Sequence, residues 1–344
     1  MSKYVIAMDA MGGDNAPNSV VDGAIQALRQ WDDIKILLAG PEERLNELIA
    51  EANDVKDRIE IIPADEVISM DEAPVLQVRK KKNSSMVQAM LAVKEGRAQA
   101  FISAGSTGAV LAGSILRIGR IRGISRPALG PVMPARKKPF ILVDSGANVD
   151  CTPEYLLQFG MMGSIYMKQV MGVVDPKVGL VNIGAEEEKG NELTKKTYQL
   201  MKEQKLFNFA GNCEAREIPT GDFDVVVADG FDGNIILKFM EGLASTMMSM
   251  MKEHMMSNLR SKIGALLVKP AMKKFKKSMD YEEYGGAPLL GVDGAVVKAH
   301  GSSNGKAMCS AIRQARTMIE ADIVGVIREG VKQMTAQQEN EAAE

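Results

Sequence analysis

The residues best placed to do chemistry sit in or beside five glycine-rich breaks, each following a short apolar run. They read Asp9-Ala-Met-Gly-Gly-Asp14-Asn-Ala-Pro17, Ser103-Ala-Gly-Ser-Thr-Gly108, Asn182-Ile-Gly184, Asp229-Gly-Phe-Asp-Gly233-Asn234 and His300-Gly-Ser-Ser-Asn-Gly305. Glycines let backbone N–H groups approach a ligand, helix N-termini attract anions, and in a parallel sheet such breaks gather along the carboxyl edge of the strands. A small phosphorylated or acidic ligand fits that arrangement. Lys189 follows the acidic run Glu186-Glu-Glu188 at a helix start, where a lysine opposes the helix dipole unless an anion or carboxylate compensates. Asn234 opens the next helix, where its amide can donate to a developing oxyanion. A salt-bridged lysine and an ordinary helix cap are the structural alternatives.

Other candidates are weaker. Cys151 stands near a strand end, but no motif ties it to a histidine, and buried thiols are common. His300 can serve as acid or base, or simply be bonded within its glycine turn. Ser103 to Gly108 and His300 to Gly305 place hydroxyl and amide residues where N-capping alone would explain them. The run Arg79-Lys-Lys-Lys82 suits an acidic partner or a solvated loop. Neither a Gly-x-Gly-x-x-Gly after the first strand nor a Gly-x-x-x-x-Gly-Lys-Ser/Thr is present, which speaks against NAD and ATP. The three cysteines are widely spaced and the two histidines lack partners at zinc-ligand spacing, so neither a disulfide framework nor a metal is signalled, and no cofactor is expected.

Positioning these residues requires an α/β frame. Apolar strand-like runs at 4–8, 34–39, 59–63, 98–103, 140–143, 178–181, 207–211, 224–228 and 296–299 alternate with helical patterns at 19–30, 42–53, 84–95, 107–118, 154–170, 191–203, from 234, and 305–330. That alternation means βαβ units and a mostly parallel sheet. Residues 119–139, rich in Arg, Gly and Pro, read as a surface crossing. No compositional shift separates two halves of the 344 residues, so residues 1–331 read as one catalytic domain, with a polar, fraying tail at 332–344. A net charge of -2 with 25% charged residues excludes a general nucleic-acid binder. No apolar stretch reaches the ~18 residues needed to cross a bilayer, and Met1 runs almost directly into a strand, so a cytoplasmic location is expected.

The segment at about 238–280 departs from this rhythm. Met240, Met247, Met248, Met250, Met251, Met255, Met256, Met272 and Met279 give it adaptable apolar surface, and residues 252–277 carry eight lysines and arginines among Leu259, Ile263, Leu266, Leu267, Val268 and Phe275. A helix in a dimer interface is one reading; an amphipathic segment on anionic lipid is the other. Pro270 is expected to break the helix and leave 266–277 as a separate tip, with Leu266, Leu267, Lys273, Lys274 and Phe275 contacting a membrane or an acidic carrier.

Taken in order, Met8-Asp-Ala-Met-Gly-Gly-Asp-Asn-Ala-Pro17, Ser103-Ala-Gly-Ser-Thr-Gly-Ala109, Gly146-Ala-Asn-Val-Asp-Cys151, Asn182-Ile-Gly184, Val227-Ala-Asp-Gly-Phe-Asp-Gly-Asn234 and Gly285-Gly-Ala-Pro-Leu-Leu-Gly-Val292 with Lys298-Ala-His-Gly-Ser-Ser303 resemble the acyl-ACP:phosphate acyltransferase (PlsX) family over essentially the whole chain. Gly211-Asn-Cys-Glu-Ala-Arg-Glu217 and Asp144-Ser-Gly146 depart from that family's patterns.

The resemblance implies a three-layer α/β/α sandwich, Rossmann-like and related to isopropylmalate dehydrogenases and phosphotransacetylases, in a homodimer loosely attached to the cell membrane. It implies transfer of a fatty acyl group from acyl carrier protein to inorganic phosphate, giving acyl phosphate for phospholipid synthesis. Lys189 and Asn234 match family active-site positions. Gly12, Gly13, Asp14, Asn15, Ser106, Thr107, Gly108, His300, Ser302 and Ser303, together with Asp9, Asn148 and Asp232, fall to phosphate and substrate binding. Competing readings are a phosphotransacetylase using acyl-CoA, an NAD-dependent decarboxylating dehydrogenase, disfavoured by the motifs, and a non-catalytic membrane scaffold for lipid enzymes.

Overall fold

Short aliphatic runs with no polar face form strands buried on both sides, the pattern of parallel sheets covered by helices. The computed structural model describes residues 3–69, 72–278 and 284–343. In chain order the elements are β1 (Tyr4–Asp9), α1 (Asn18–Gln30), β2 (Ile34–Gly40), α2 (Glu42–Ile49), β3 (Ile59–Pro63), α3 (Pro74–Lys80), α4 (Ser85–Lys94), β4 (Ala100–Ser103), α5 (Thr107–Gly113), β5 (Ala128–Leu129), β6 (Val132–Met133), β7 (Phe140–Val143), α6 (Pro153–Gln169), β8 (Lys177–Asn182), α7 (Glu192–Glu203), β9 (Asn208–Glu214), β10 (Val225–Val227), α8 (Gly230–Met255), α9 (Leu259–Ser278), β11 (Ala287–Leu290), β12 (Ala295–Lys298), α10 (Gly305–Glu320) and α11 (Ile323–Ala343).

The strands form two sheets, ordered β3-β2-β1-β4-β12-β11-β5 and β6-β7-β10-β8-β9. Parallel pairing runs from β3 through β12 in the first and from β7 through β9 in the second. Antiparallel pairs are confined to one end of each, where β11 meets β12 and β5, and β6 meets β7. Alternate residues of each strand face opposite layers. Ile6, Ile36, Ile102 and Val297 join Val143, Leu180 and Val227 in one buried cluster, shared by both sheets and covered by α1, α6 and α10. On the other side of the first sheet, Ala7, Phe101 and Val296 pack on α4 and α5. On the other side of the second, Phe140, Leu142 and Val226 pack on Ile236, Leu237 and Met240 of α8. The result is the α/β/α layering expected.

Three segments differ from expectation. Residues 119–139 do not simply cross the surface: they carry β5 and β6, with Ala128, Leu129, Val132 and Met133 buried, so this stretch is the seam between the sheets. Two-residue strands are too short to show periodicity, and the Arg, Gly and Pro around them mask the apolar pairs.

The last helical pattern is two helices, split at Ala321 and Asp322, the latter left-handed with φ 45°. The second of them, α11, continues through residues read as a tail, with Val331 and Met334 buried.

Pro270 breaks nothing: α9 runs through it, and the interruption falls at residues 256–258. There Ser257 Oγ donates to the carbonyl of His254, ending α8, and Asn258 Oδ1 accepts from the amide of Ser261, starting α9. Two local caps outweigh one lost backbone donor on an exposed helix. Met279 and the segment's end at Asp280 lie outside the described residues.

Candidate active site

Because β1, β4 and β12 are parallel neighbours, their carboxyl ends bring the first, second and fifth glycine breaks side by side. Asp9 ends β1 and is buried at 2% exposure. Its Oδ1 accepts from Ser85 Oγ (2.6 Å) and more weakly from the amide of Met11, and its Oδ2 accepts from Ser103 Oγ (2.7 Å). Burial pushes its carboxyl up from the ordinary range, against the pull of the two hydroxyls and the amide. Asp9 is thus a support for the loops above it, its oxygens taken up by protein donors. A β-carbon on Gly12 would stand 2.5 Å from Asp9 Oδ2 and 2.8 Å from the amide nitrogen of Gly105, so only glycine lets these two turns touch.

The first and fifth breaks are stitched together. The amide of Asp14 donates to the carbonyl of Gly301 (2.8 Å), and Asn15 Nδ2 donates to the carbonyls of Ser302 (3.0 Å) and Ser303 (3.4 Å). Gly13 holds φ +104°, a conformation few side chains tolerate. His300 is exposed, and its Nδ1 lies 3.3 Å from the amide nitrogen and 2.8 Å from the Oγ of Ser302. Ser106 precedes α5 without using its hydroxyl as a cap. Thr107 is exposed and Gly108 is half-buried, with Pro74 filling the space a side chain would need.

The second sheet repeats the scheme. Asp144, fully buried after β7, accepts from the amides of Leu129 (2.8 Å) and Asn148 (2.6 Å) and from Asn148 Nδ2 (3.0 Å). Asn148 spends its side-chain donors on Asp144 and on the carbonyl of Pro127, while its own carbonyl receives the amide of Gly230. This residue, expected to bind substrate, is therefore committed to fixing its loop. Gly230 and Gly233 let the first turn of α8 lie directly on the backbone of Asn148 and Asp144. Asn234, in that turn, flanks Gly146: a β-carbon there would be 3.6 Å from Asn234 Oδ1. Asp229 caps α8 by accepting from the amide of Asp232, whose exposed carboxyl is pushed up by partial burial and by Asp229.

Lys189 lies beyond β8, the neighbour of β10, so both expected catalytic residues rise from adjacent strand ends. Its carbonyl accepts from Asn182 Nδ2 (3.0 Å), and its aliphatic stem rests against Gly184. Among the described residues no carboxylate lies within ion-pair distance of its exposed ammonium; the neighbouring Glu187 is paired instead with Lys202 at 2.8 Å. The salt-bridge alternative thus gives way to an accessible cation. Burial pushes the Cys151 thiol up to about 12, which disfavours the thiolate a nucleophile needs.

A model of the family described as fatty acid synthesis protein matches residues 4–325. Phosphate acyltransferase of Clostridium perfringens (strain SM101 / Type A) is 54% identical over 326 residues, 95% of this chain and 96% of its own. The chain belongs to this family of phosphate acyltransferases. Phosphate acyltransferase of Clostridium beijerinckii is 53% identical over 324 residues, 94% and 97% of the two chains. In fold, the chain is similar to a phosphotransacetylase from Streptococcus pyogenes, with TM-score 0.59 at 17% identity over 92% of this chain and 94% of the other.

Several groups in this phosphate acyltransferase frame were not singled out from the sequence. Ser85 and Ser103 support Asp9, and Asp144 organises the second half. Burial pushes the carboxyl of Glu241, on α8, up against the opposing pull of His300 and Lys238. Lys298 ends the buried run Ala-Val-Val of β12 at 8% exposure. A lysine closing an otherwise apolar strand was the one visible signal. The expected contact residues stand apart from these loops: Leu266 and Leu267 are 69% and 77% exposed on α9, with Lys273, Lys274 and Phe275 also exposed. Along α8, Phe231, Ile235, Phe239, Leu243, Met247 and Met250 form one exposed apolar stripe.

Proposed function

We propose that the protein transfers a fatty acyl group from the thioester of acyl carrier protein to inorganic phosphate, giving acyl phosphate for phosphatidic acid and phospholipid synthesis. The observation that carries this reading is the convergence of stitched, glycine-lined loops on one sheet edge, with Lys189, which has no ion-pair partner among the described residues, and Asn234 at strand ends of the other sheet. Membership in a family of phosphate acyltransferases supports the same chemistry.

A phosphate oxygen attacks the thioester carbonyl, the new C–O bond forms, the C–S bond breaks, and the carrier leaves as a thiolate that takes up a proton. Phosphate is already an anionic nucleophile near neutral pH, so orientation and charge neutralisation dominate over general-base catalysis. Lys189 neutralises charge on the phosphate and the tetrahedral intermediate, and Asn234 donates to the oxyanion. The loops at 12–15, 106–108 and 300–303 seat the phosphate. The exposed stripe of α8 serves pairing with a second copy, and the basic, apolar α9 serves attachment to an anionic membrane surface or docking of the acidic carrier.

The test is an assay of the purified protein with acyl carrier protein thioester and phosphate, following acyl phosphate and free carrier together. Both products, each requiring both substrates, are expected. Turnover of acyl-CoA in place of the carrier thioester would reassign the donor, and lipid binding without any turnover would overturn the catalytic reading.

A further inference from the structure

Lys298 sits beneath the loops that the phosphate reading assigns to anion binding. Its strand pairs in register with β4, Lys298 opposite Ser103. Its Nζ donates to the carbonyls of Ala299 and, at 3.5 Å, of Ala104. The position a β-carbon on Gly13 would take is itself 3.5 Å from that Ala104 oxygen and 2.9 Å from the carbonyl of Gly301. The ammonium therefore lies where the three stitched loops meet. It is only 8% exposed, and the partners of its Nζ among the described residues are the carbonyls of Ala299 and Ala104 and no carboxylate.

Asp9 and Asp14 are the acids whose charge reaches it, and Asp9 already spends its oxygens on Ser85, Ser103 and Met11. Taking a cation out of water without a counter-charge is unfavourable, so this position makes sense when an anion completes it. Burial pulls the Lys298 ammonium down to about 8, against the opposing pull of Asp9 and Asp14.

Resting on the phosphate acyltransferase reading, we propose that Lys298 is a phosphate-positioning residue: its ammonium supplies the positive charge under the loops at 12–15, 103–108 and 300–303 that holds the phosphate dianion for attack. It acts from below, through the loop backbone as well as by its charge, while Lys189 faces the reaction from the other sheet.

Two measurements on the intact protein test this. In steady-state assays of Lys298→Met and Lys298→Arg, the phosphate KM of the Met variant is expected to rise at least tenfold while the acyl-donor KM stays within twofold, with Arg recovering part of the loss; an unchanged phosphate KM in Lys298→Met overturns the proposal. Should Lys298→Met fail to fold, calorimetry of sulfate and phosphate binding to the wild-type protein between pH 6.5 and 9.5 decides it. Sulfate keeps its charge throughout, so its affinity is expected to fall as pH rises through about 8, where Lys298 loses its proton. An affinity flat across that range overturns the proposal. Absence of acyl transfer by the wild-type protein would overturn the functional reading alone, because anion binding is read separately.

Discussion

The two sheets end in loops built on the same device but charged differently. In each, a buried aspartate at the carboxyl end of a strand, Asp9 or Asp144, gathers donors from neighbouring turns and leaves glycines as the points of contact. Asp9, however, shares its surroundings with the buried ammonium of Lys298, whereas only backbone and side-chain amides are bonded to Asp144. The accessible functional groups show the reverse arrangement. Lys189 and Asn234 belong to the second sheet, whereas the first presents Asp14, Asn15 and His300 beside backbone and hydroxyls, with no exposed lysine among them. On the proposed reading, the same scaffold supports two tasks, holding an anion on one side and meeting a developing charge on the other.

That division is most directly broken at the second sheet. Lys189→Ala is expected to lower kcat about 10²–10³-fold, and Asn234→Ala about 10²-fold, with melting temperatures unchanged because neither side chain is buried. Loss of folding in place of loss of turnover, read by thermal denaturation, would make them scaffold residues.

The shared device comes next. Asp144→Ala strands the amides of Leu129 and Asn148 and is expected to cost about 3 kcal/mol in urea denaturation. The milder pair Asp9→Asn and Asp144→Asn separates the two sides. Removing the charge beside Lys298 should tighten phosphate binding a few-fold by calorimetry, while the change at Asp144 should leave it alone. Equal effects would erase the asymmetry.

The smallest effect belongs to the exposed arm. Leu266→Glu with Leu267→Glu is expected to change stability by less than about 0.5 kcal/mol and leave turnover of a soluble donor intact, while abolishing sedimentation with anionic vesicles.

Much of the frame was legible because the strands are buried on both faces and announce themselves as aliphatic runs: β3 and β7 fall at 59–63 and 140–143 as read from the chain. Ser84 and Asn191, the first residues of the helical patterns at 84–95 and 191–203, cap α4 and α7. What escaped depends on partners distant in sequence. β5 and β6 exist only through pairing with β11 and β7. Asp9 and Asn148 read as ligand-binding residues in glycine motifs, but the donors and acceptors that occupy them, Ser85, Ser103 and Pro127, lie far along the chain. The buried setting of Lys298 is hidden for the same reason, since its surroundings are built by residues near 13, 104 and 301.

One consequence follows from how α8 is held. Its first turn is clamped on the backbone of Asn148 and Asp144 through Gly230 and Gly233, and its 26 residues make a rod about 39 Å long at 1.5 Å per residue. Ile236, Leu237 and Met240 hold the next turns on the second sheet, so bending by about 5° beyond Met240, over a span of about 22 Å, would carry the far end about 2 Å and leave Asn234 in place. The mechanical effect is that of an anchored mast: the distal arm can follow a moving surface while the amide at its foot keeps its aim.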